Sequence, residues 1–314
     1  MQVISPDLAR NAAALRETVT IRAADLPLDG VDQPQAVAVI ARTDGPAYRP
    51  PGAFMVIGAG GCHAGNLSSG CIDADILLWA EEVVRTGQAQ RLRYGLGSPF
   101  RDLVLPCGGG LDIRVLPIGA VGDLDGLRQS LRERRPVDLF LSGDELTLQD
   151  RQGADLHIRV LPDLRFVTFG KGPEVMAFAS MAAGAGYETL IFAPEDELSA
   201  LSEHPRLKLR PLPARGGLEA GLFDSHTAAT LFFHDHDLEP GILAAVLRSD
   251  AFYVGAQGSR RAAANRLESL RAMGLPEAAL ARMRGPIGLI PSTRDARTLA
   301  VSVLAEVLAG AVPQ

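Results

Sequence analysis

The feature that most constrains the fold is a regular alternation of apolar strand segments and amphipathic helices in the second half of the chain. The first of these strands, 165–169, runs directly into the turn Gly170-Lys171-Gly172, and a helix follows from Pro173. Repeated β-α alternation indicates parallel strands, because each right-handed crossover needs a helix to return the chain. The sequence therefore predicts a Rossmann-like, doubly wound parallel-sheet domain over residues 161–314.

Six strands and four helices are recognisable in this half from apolar runs and from helical periodicity. The predicted strands are 165–169, 189–192, a segment near Leu207, 228–233, 252–254 and 287–290, and the predicted helices are 173–185, 238–248, 260–273 and 293–308. Such sheets bind ligands outside the carboxyl ends of the strands, where the strand order reverses. The loops after the first, fourth and fifth strands should therefore converge in one crevice.

The first half alternates less regularly and predicts a mixed α/β domain over residues 1–120. The expected elements are helices over 7–25 and 72–85 and strands over 36–41, 54–57, 91–94, 103–105 and 111–116. A bridging segment, 121–160, should contain a helix over 124–134 and polar strands around Leu139 and Leu146. We place the domain boundary near Leu161-Pro162, because the regular alternation begins beyond it.

Composition excludes several classes of function. A chain of 314 residues with 47% hydrophobic content can bury the cores of two domains. The net charge of −6, with both signs interspersed, gives no footprint for a nucleic acid. The opening residues lack the basic and apolar regions of a signal peptide, and no stretch is apolar for long enough to span a bilayer. We expect a cytoplasmic protein that binds neither nucleic acid nor membrane.

The turn that follows strand 165–169 is placed where glycines let a phosphate approach a helix N-terminus. Two features differ from a dinucleotide-binding turn: Val175 occupies the third glycine position, and the second strand ends in Ala193-Pro194, where an acid would bind the ribose. Pro173 also removes one N–H donor from the first helical turn. The residues alone leave two alternatives, a nucleotide site and a tight turn without a ligand.

Two further loops should lie at the same edge of the sheet, His234-Asp235-His236 and Gly258-Ser259-Arg260-Arg261. The histidines either contribute to a ligand site or are solvated beside a capped helix start. The arginines either neutralise a phosphate, to which a guanidinium binds bidentately, or form a solvated helix face. Adjacent His-Asp-His does not match common zinc spacing, so we expect no metal site.

The three cysteines, Cys62, Cys71 and Cys107, are an odd number and lie in glycine-rich segments, so we expect free thiols. Cys71 directly precedes a predicted helix, whose dipole would stabilise its thiolate. Cys107 lies in the loop Pro106-Cys107-Gly108-Gly109-Gly110. The alternative is that Cys71 and Cys107 are small buried residues beside turn glycines.

Taken together and in order, these segments resemble the XdhC/CoxI family, the accessory proteins of xanthine dehydrogenase and of aerobic carbon monoxide dehydrogenase. The resemblance covers nearly the whole chain. It is carried by Gly52-Ala53-Phe54-Met55-Val56, Gly70-Cys71-Ile72-Asp73, Ser98-Pro99-Phe100, Leu105-Pro106-Cys107-Gly108-Gly109-Gly110, Gly170 and Gly172, His234-Asp235-His236, Tyr253-Val254-Gly255, Gly258-Ser259-Arg260-Arg261 and Pro286-Ile287-Gly288-Leu289.

The resemblance implies a protein that binds the molybdenum cofactor, supports its sulfuration and delivers it to a molybdenum hydroxylase apo-enzyme. It also implies a cysteine desulfurase and a second copy of the chain as further partners, and Cys71 or Cys107 as a candidate catalytic thiol. The residues expected to bind the cofactor are Gly70, Cys71, Asp73, Cys107, Gly108, Gly109, Gly170, Gly172, His234, Asp235, His236, Gly258, Ser259, Arg260 and Arg261. The alternative function is that of an NAD(P)-dependent oxidoreductase, which the Rossmann-like half would serve.

Overall fold

A computed structural model describes residues 17–98, 105–150, 153–195, 205–212, 217–219, 221–233 and 239–311. The chain divides after Pro162 into two compact units, an N-terminal and a C-terminal one. The predicted bridging segment, 121–160, therefore lies within the N-terminal unit. In the described part of the chain, every helix is too short or too polar to cross a bilayer.

The described residues of the N-terminal unit form nine strands and two α-helices. They are β1 (Glu17–Arg22), β2 (Pro34–Asp44), β3 (Phe54–Gly58), β4 (His63–Ala64), α1 (Asp73–Thr86), β5 (Gln90–Gly95), β6 (Gly110–Pro117), α2 (Leu124–Arg132), β7 (Val137–Ser142), β8 (Glu145–Thr147) and β9 (Leu156–Leu161). One sheet is antiparallel, in the order β4-β3-β2-β6-β5. The other has the order β1-β9-β7-β8, in which β1 and β9 are parallel and the remaining pairs are antiparallel.

The N-terminal unit has three layers because β2 is buried on both faces. Val37 and Val39 belong to the core shared with the four-stranded sheet. Ala38 and Ile40 alternate with them and belong to the core that includes Ile76 of α1. Since successive side chains of a strand point to opposite faces, the five-stranded sheet lies between α1 and the second sheet.

The predicted helix over 7–25 is wrong in its second part, because Glu17–Arg22 forms β1. Residues 1–16 lie outside the described residues. The β-branched Val19 and Ile21 alternate with polar residues, which suits a half-buried strand. Its partner β9 is about 140 positions away and was not predicted, although its residues alternate in burial. Of the predicted strand 103–105, only Leu105 is described, and it is not in a strand.

The described residues of the C-terminal unit form six strands and five α-helices. They are β10 (Arg165–Gly170), α3 (Pro173–Gly184), β11 (Glu188–Ala193), β12 (Leu207–Pro211), β13 (Thr227–Phe232), α4 (Glu239–Leu247), β14 (Tyr253–Ala256), α5 (Arg260–Ala272), α6 (Glu277–Leu280), β15 (Met283–Arg284) and α7 (Ala296–Gly310). These strands pair in parallel, in the order β12-β11-β10-β13-β14-β15. Numbered within this unit, the order is 3-2-1-4-5-6, which confirms the predicted Rossmann-like fold.

Both faces of this sheet are covered by helices. Val167 and Phe169 of β10 pack in a core with residues of α4 and α5. Phe166 packs on the other face with Phe178 of α3 and Val303 of α7. The strand is therefore continuously apolar rather than alternating, as expected for a buried parallel sheet.

The predicted strand over 287–290 is wrong, because the sixth strand is β15, several residues earlier. Leu289 and Ile290 are 60% and 48% exposed. Their segment runs along α7, where the Ile290 N–H donates to Ser302 Oγ at 2.7 Å. Apolar composition thus suggested a buried strand at a position where the chain lies on the surface. The other predicted strands and helices of this unit agree with the structure to within about three residues.

Candidate functional site

The loop that carries Cys71 is organised around Ser68, which is 2% exposed. Its N–H and Oγ donate to Asp73 Oδ1 at 3.1 and 2.9 Å. In return, Ser68 Oγ accepts from the N–H groups of Gly70 and Ile72 at 3.0 and 3.3 Å. The Asp73 carboxylate therefore has a structural task, which is to fix the loop at the start of α1.

Cys71 is exposed and lies two residues before the first residue of α1. The helix is fourteen residues long and carries Asp73 and Asp75 in its first turn. Two carboxylates therefore already lie at the positive end of this helix dipole. Cys107 is also exposed and forms no disulfide, so the alternative of two buried cysteines is wrong.

The glycines after Cys107 have different surroundings. Gly108 has a φ of +73°, and a Cβ added there would meet no described atom within 4 Å. A Cβ on Gly109 would lie 1.9 Å from the carbonyl oxygen of Pro46. The Gly109 carbonyl also accepts from the Leu96 N–H at 3.0 Å. Gly109 is therefore required by backbone packing, whereas Gly108 faces open space.

Arg93 holds the strand ends from which the Cys107 loop extends. Its guanidinium lies 2.7 Å from Asp44 Oδ2 and 3.1 Å from Asp112 Oδ1, and its Nε donates to the Leu96 carbonyl at 2.8 Å. The hydrogen bond from Arg93 lowers the pKa of Asp44, with Arg42 contributing further. The ends of β2, β5 and β6 are thus tied by one cation.

The Cys71 and Cys107 loops lie at the same end of the five-stranded sheet. Tyr94 Oη donates to Asp75 Oδ2 at 2.5 Å, which joins the first turn of α1 to the end of β5. Tyr94 is paired with Leu111, beside the Gly110 that ends the Cys107 loop. Burial, and secondarily Asp75, raises the pKa of Tyr94, so its phenol stays protonated. Cys71 and Cys107 therefore lie in loops at the same end of the five-stranded sheet, and hydrogen bonds hold that end together.

Cys62 lies at the opposite end of this sheet. Its carbonyl accepts from the Gly58 N–H at 2.8 Å, and Gly58 is paired with Pro34, the first residue of β2. The last residue of β2, Asp44, is paired with Gly110. At about 3.3 Å per residue, β2 separates the two ends by roughly 30 Å. The structure thus groups Cys71 with Cys107 and excludes Cys62.

In the C-terminal unit, Gly170 ends β10 at the point where the strand order reverses. A Cβ there would lie 2.4 Å from the carbonyl oxygen of Phe232 in the neighbouring β13. The choice of glycine at this position, where φ is +152°, is therefore explained by the close approach of the two strands. Gly172 precedes α3, and Glu174 lies in the first turn of that helix, with Oε2 3.7 Å from the Cβ position of Gly172. Lys171 lies between the two glycines, so this turn and the first helical turn together carry one residue of each charge.

The end of β11 lacks the acid that binds ribose in dinucleotide-binding domains. The strand ends at Ala193, Pro194 follows, and the first acid is Glu195. The hydroxyls of a bound ribose normally contact an acid at the end of this second strand. The first carboxylate after β11 is thus two residues beyond the end of the strand.

The turn after β14 lies beside β13, because the Gln257 N–H donates to the Leu231 carbonyl at 2.8 Å. Gly258 has a φ of +141°, and Ser259 caps α5, with Oγ accepting from the Ala262 N–H at 3.1 Å. Arg260 and Arg261 are exposed in the first helical turn. Gly170 and this turn thus flank the end of β13. His234, Asp235 and His236 follow that strand and lie outside the described residues.

Sequence reasoning missed one buried ion pair at this edge. Glu239 begins α4 and is fully buried, and Arg266 of α5 is 4% exposed. The guanidinium binds both carboxylate oxygens at 2.8 Å and donates from Nη2 to the Gln257 carbonyl at 2.6 Å. Helical spacing was the available signal, since Arg266 shares the buried face of α5 with Ala263 and Leu270.

Comparisons with known proteins place these features in a family. The model of the XdhC Rossmann domain matches residues 166–307, and the model of the XdhC and CoxI family matches residues 31–95. The molybdenum cofactor insertion chaperone PaoD of Escherichia coli (strain K12) is 35% identical over 271 residues, which cover 84% of this chain and 79% of the relative.

Two more distant similarities extend over most of the chain. A probable xanthine dehydrogenase subunit of Bacillus subtilis (strain 168) is 25% identical, over 88% of this chain and 93% of the relative. A crystal structure from Bacillus halodurans, described as a xanthine dehydrogenase, has a TM-score of 0.71 and 21% identity, and the match covers 93% of this chain and 96% of that one. The latter supports the fold alone. With matches in both of its units and a relative at 35% identity, the chain belongs to the XdhC and CoxI family.

Proposed function

We propose that this protein binds the molybdenum cofactor, supports its sulfuration and delivers it to the apo-form of a molybdenum hydroxylase. The observation that carries this proposal is the presence of two exposed thiols, Cys71 and Cys107, at one end of the N-terminal unit. The similarity to a molybdenum cofactor insertion chaperone supports the same role. Because a chaperone must release its cargo, exposed loops suit it better than a closed pocket.

The donors at this end fit the cofactor in chemical type. When bound, the cofactor supplies a soft molybdenum–sulfur centre and a phosphate, and thiolates are the protein ligands that match soft metals. Cys71 is exposed beside the start of α1, where a soft metal can reach its sulfur. Cβ atoms added to Gly70 and Gly108 would meet no described atom within 4 Å, so the backbone next to each thiol is accessible.

Asp73 and Gly109 serve this site indirectly in the proposal. Asp73 holds the Cys71 loop through Ser68, and Gly109 lets the Cys107 loop pack on Pro46. Both residues position a thiol rather than contact the cofactor. In the C-terminal unit, Gly170, Gly172 and the turn 258–261 are the candidates for binding a phosphate or a nucleotide, and the segment 234–236 remains a candidate from the sequence alone.

A protein that holds the cofactor before delivery also requires particular partner proteins. Sulfuration requires a sulfur donor, for which a cysteine desulfurase has the appropriate chemistry. Delivery requires a hydroxylase that lacks its cofactor, and a second copy of this chain is a further candidate partner. Cys71 is the thiol that we assign to contact the metal end, because it lies at a helix start.

We expect Cys71→Ala to reduce the cofactor that co-purifies with the protein by about tenfold, the lower range for the loss of a metal-site contact. The protein is purified from cells that make the cofactor, and the released pterin is oxidised and measured by fluorescence. Cys62→Ala is the matched control, because Cys62 is also an exposed free thiol but lies at the opposite end of the sheet. That control should retain its pterin.

Two outcomes of this experiment count against the proposal in different ways. If Cys71→Ala retains as much pterin as Cys62→Ala, the assignment of Cys71 is wrong. If the wild-type protein carries no pterin, the cofactor-binding function itself is wrong. Transfer of pterin from the wild-type protein to an apo-hydroxylase would then test delivery separately.

A nicotinamide-dependent oxidoreductase is the second candidate, because the strand order of the C-terminal unit is that of dinucleotide-binding domains. Glu174 near the Gly172 turn and the absence of an acid at the end of β11 oppose it. We expect titration calorimetry to detect neither NAD nor NADP at millimolar concentration. Saturable binding of either would favour the oxidoreductase instead.

A further inference from the structure

We propose that the turn between β14 and α5 is a phosphate-binding subsite, and that the buried guanidinium of Arg266 forms its charged floor. The proposal deepens the proposed function by naming a phosphate ester as the physiological occupant of the C-terminal unit. It does not depend on that occupant for its test. The class of ligand follows from the helix charge, from the unused donor of Arg266 and from the position of the turn on the sheet.

The first turn of α5 carries charges of the wrong sign for an isolated helix. Arg260 and Arg261 are its first two residues, and the turn contains no acid. Cations are unfavourable at the positive end of a helix dipole, whereas an anion there is stabilised by both the dipole and the arginines. The thirteen-residue α5 therefore presents a cationic end that a bound anion would neutralise.

The start of α3 provides the opposite case at the same edge of the sheet. Glu174 lies in its first turn, and Pro173 supplies no N–H. A phosphate at the Gly170 turn would therefore meet one carboxylate and the single cation Lys171, while a phosphate at the Ser259 turn would meet two guanidinium groups and no acid. Electrostatics favours α5 over α3 as the phosphate site.

Arg266 provides the second, independent observation. Its side chain is 3% exposed, and Nε and Nη2 are used by Glu239 and by the Gln257 carbonyl. Its Nη1 is buried and has no hydrogen-bond partner among the described residues. A buried charged donor without a partner is rare in native proteins, because its desolvation is not compensated. An additional acceptor is therefore expected beside Nη1.

The unused donor points to the turn. Arg266 Nη1 lies 3.1 Å from the position that a Cβ on Gly258 would occupy. Because Gly258 has no Cβ, the guanidinium packs directly beneath the backbone of this turn. Ser259 already accepts from the N–H groups of Ala262 and Ala263, so the earlier N–H groups of the helix, on Arg260 and Arg261, are those that a ligand would take.

The donor set selects phosphate rather than a single carboxylate. Glu239 balances the charge of Arg266, so the exposed Arg260 and Arg261 supply the positive charge and Arg266 supplies one further donor; with the helix N-terminus, this set suits a ligand with two negative charges and several acceptor oxygens. The turn also lies at the carboxyl edge of the sheet, next to β13 and the strand-order reversal. A phosphate ester whose other end extends toward Gly170 fits this location.

The test uses the full chain and inorganic pyrophosphate as the probe, with binding measured by titration calorimetry at low ionic strength. We expect saturable binding to the wild-type protein and at least tenfold weaker binding to Arg260→Gln/Arg261→Gln, because charge-assisted contacts are lost. Arg248→Gln/Arg271→Gln is the matched control. It removes the same charge from exposed residues at the C-terminal ends of α4 and α5 and should bind as the wild type does.

A second variant tests the floor of the site. Glu239→Gln/Arg266→Gln removes both buried charges together, so that neither is left uncompensated, and we expect it to lose at least tenfold in pyrophosphate affinity. Circular dichroism checks that it folds. If it does not fold, the comparison of Arg260→Gln/Arg261→Gln with its control decides alone.

Absence of pyrophosphate binding by the wild-type protein would overturn the proposal, as would equal binding by Arg260→Gln/Arg261→Gln and its control. Unchanged binding by a folded Glu239→Gln/Arg266→Gln variant would overturn the role of Arg266. The pterin measurement separates this inference from the proposed function. A wild-type protein that carries pterin without binding pyrophosphate refutes only the subsite, and the reverse result refutes only the cofactor role.

Discussion

Glu239→Ala is expected to lower the free energy of unfolding of the C-terminal unit by about 3–5 kcal/mol, because it leaves the Arg266 guanidinium buried without its counter-ion. Glu239 is fully buried, and both of its carboxylate oxygens accept from Arg266. Urea denaturation followed by circular dichroism measures the change. The loss should exceed that of an ordinary surface substitution severalfold.

An exposed ion pair between α5 and α6 provides the control for this prediction. Arg271 of α5 contacts Glu277 of α6 at 2.7 Å, but their side chains are 50% and 71% exposed. Glu277→Ala should therefore cost far less stability than Glu239→Ala. Replacement of both buried partners, Glu239→Leu/Arg266→Leu, should recover much of the loss, since no charge is left unpaired. Equal losses for Glu239→Ala and Glu277→Ala would contradict the account.

The fold of the C-terminal unit could be predicted from sequence because its signals are local. Four of the strands, β10, β11, β13 and β14, are largely buried runs, and a parallel sheet needs helices between such strands. The exception is β15, which has only two residues, Met283–Arg284. A pair of residues gives no periodicity, and the nearby apolar Leu289 and Ile290 attracted the prediction instead.

The N-terminal unit was harder because its second sheet joins distant segments. β1 pairs with β9 across most of the unit, and neither has a neighbour in sequence that reveals the pairing. The residues Glu17–Arg22 were therefore predicted with the period of a helix, although they form a strand. The α1 helix and four strands of the five-stranded sheet, β2, β3, β5 and β6, were predicted, whereas the two-residue β4 was not.

For the candidate site, sequence located the loops but not what each residue does in them. Glycine is required at Gly109 and Gly170 by neighbouring backbone and leaves open space at Gly70 and Gly108, a difference that only three-dimensional contacts reveal. The Arg266 and Glu239 pair likewise depends on the meeting of two helices. Residue types therefore indicate which functional groups each loop contains, and packing determines which of those groups remain available for a ligand.

Gly109→Ala provides the strongest test of this separation between packing and binding. The new Cβ would lie 1.9 Å from the Pro46 carbonyl oxygen, so backbone must move, and we expect a loss of about 3 kcal/mol in the free energy of unfolding. Gly119→Ala is the control in the same unit, because its Cβ would meet no described atom within 4 Å, and it should change stability by less than about 0.5 kcal/mol.

Gly108→Ala distinguishes the two roles within one loop. Its Cβ would point into open space, and only the backbone φ of +73° makes the substitution unfavourable, by about 1 kcal/mol. If the Cys107 loop approaches the cofactor, Gly108→Ala should reduce the co-purified pterin while most of the stability remains, whereas Gly109→Ala should lose both together. Denaturation and pterin fluorescence on the same preparations measure the two effects. A Gly109→Ala protein as stable as Gly119→Ala would show that the contact with Pro46 does not hold the loop. The Cys107 thiol would then lie in a segment that can change its conformation.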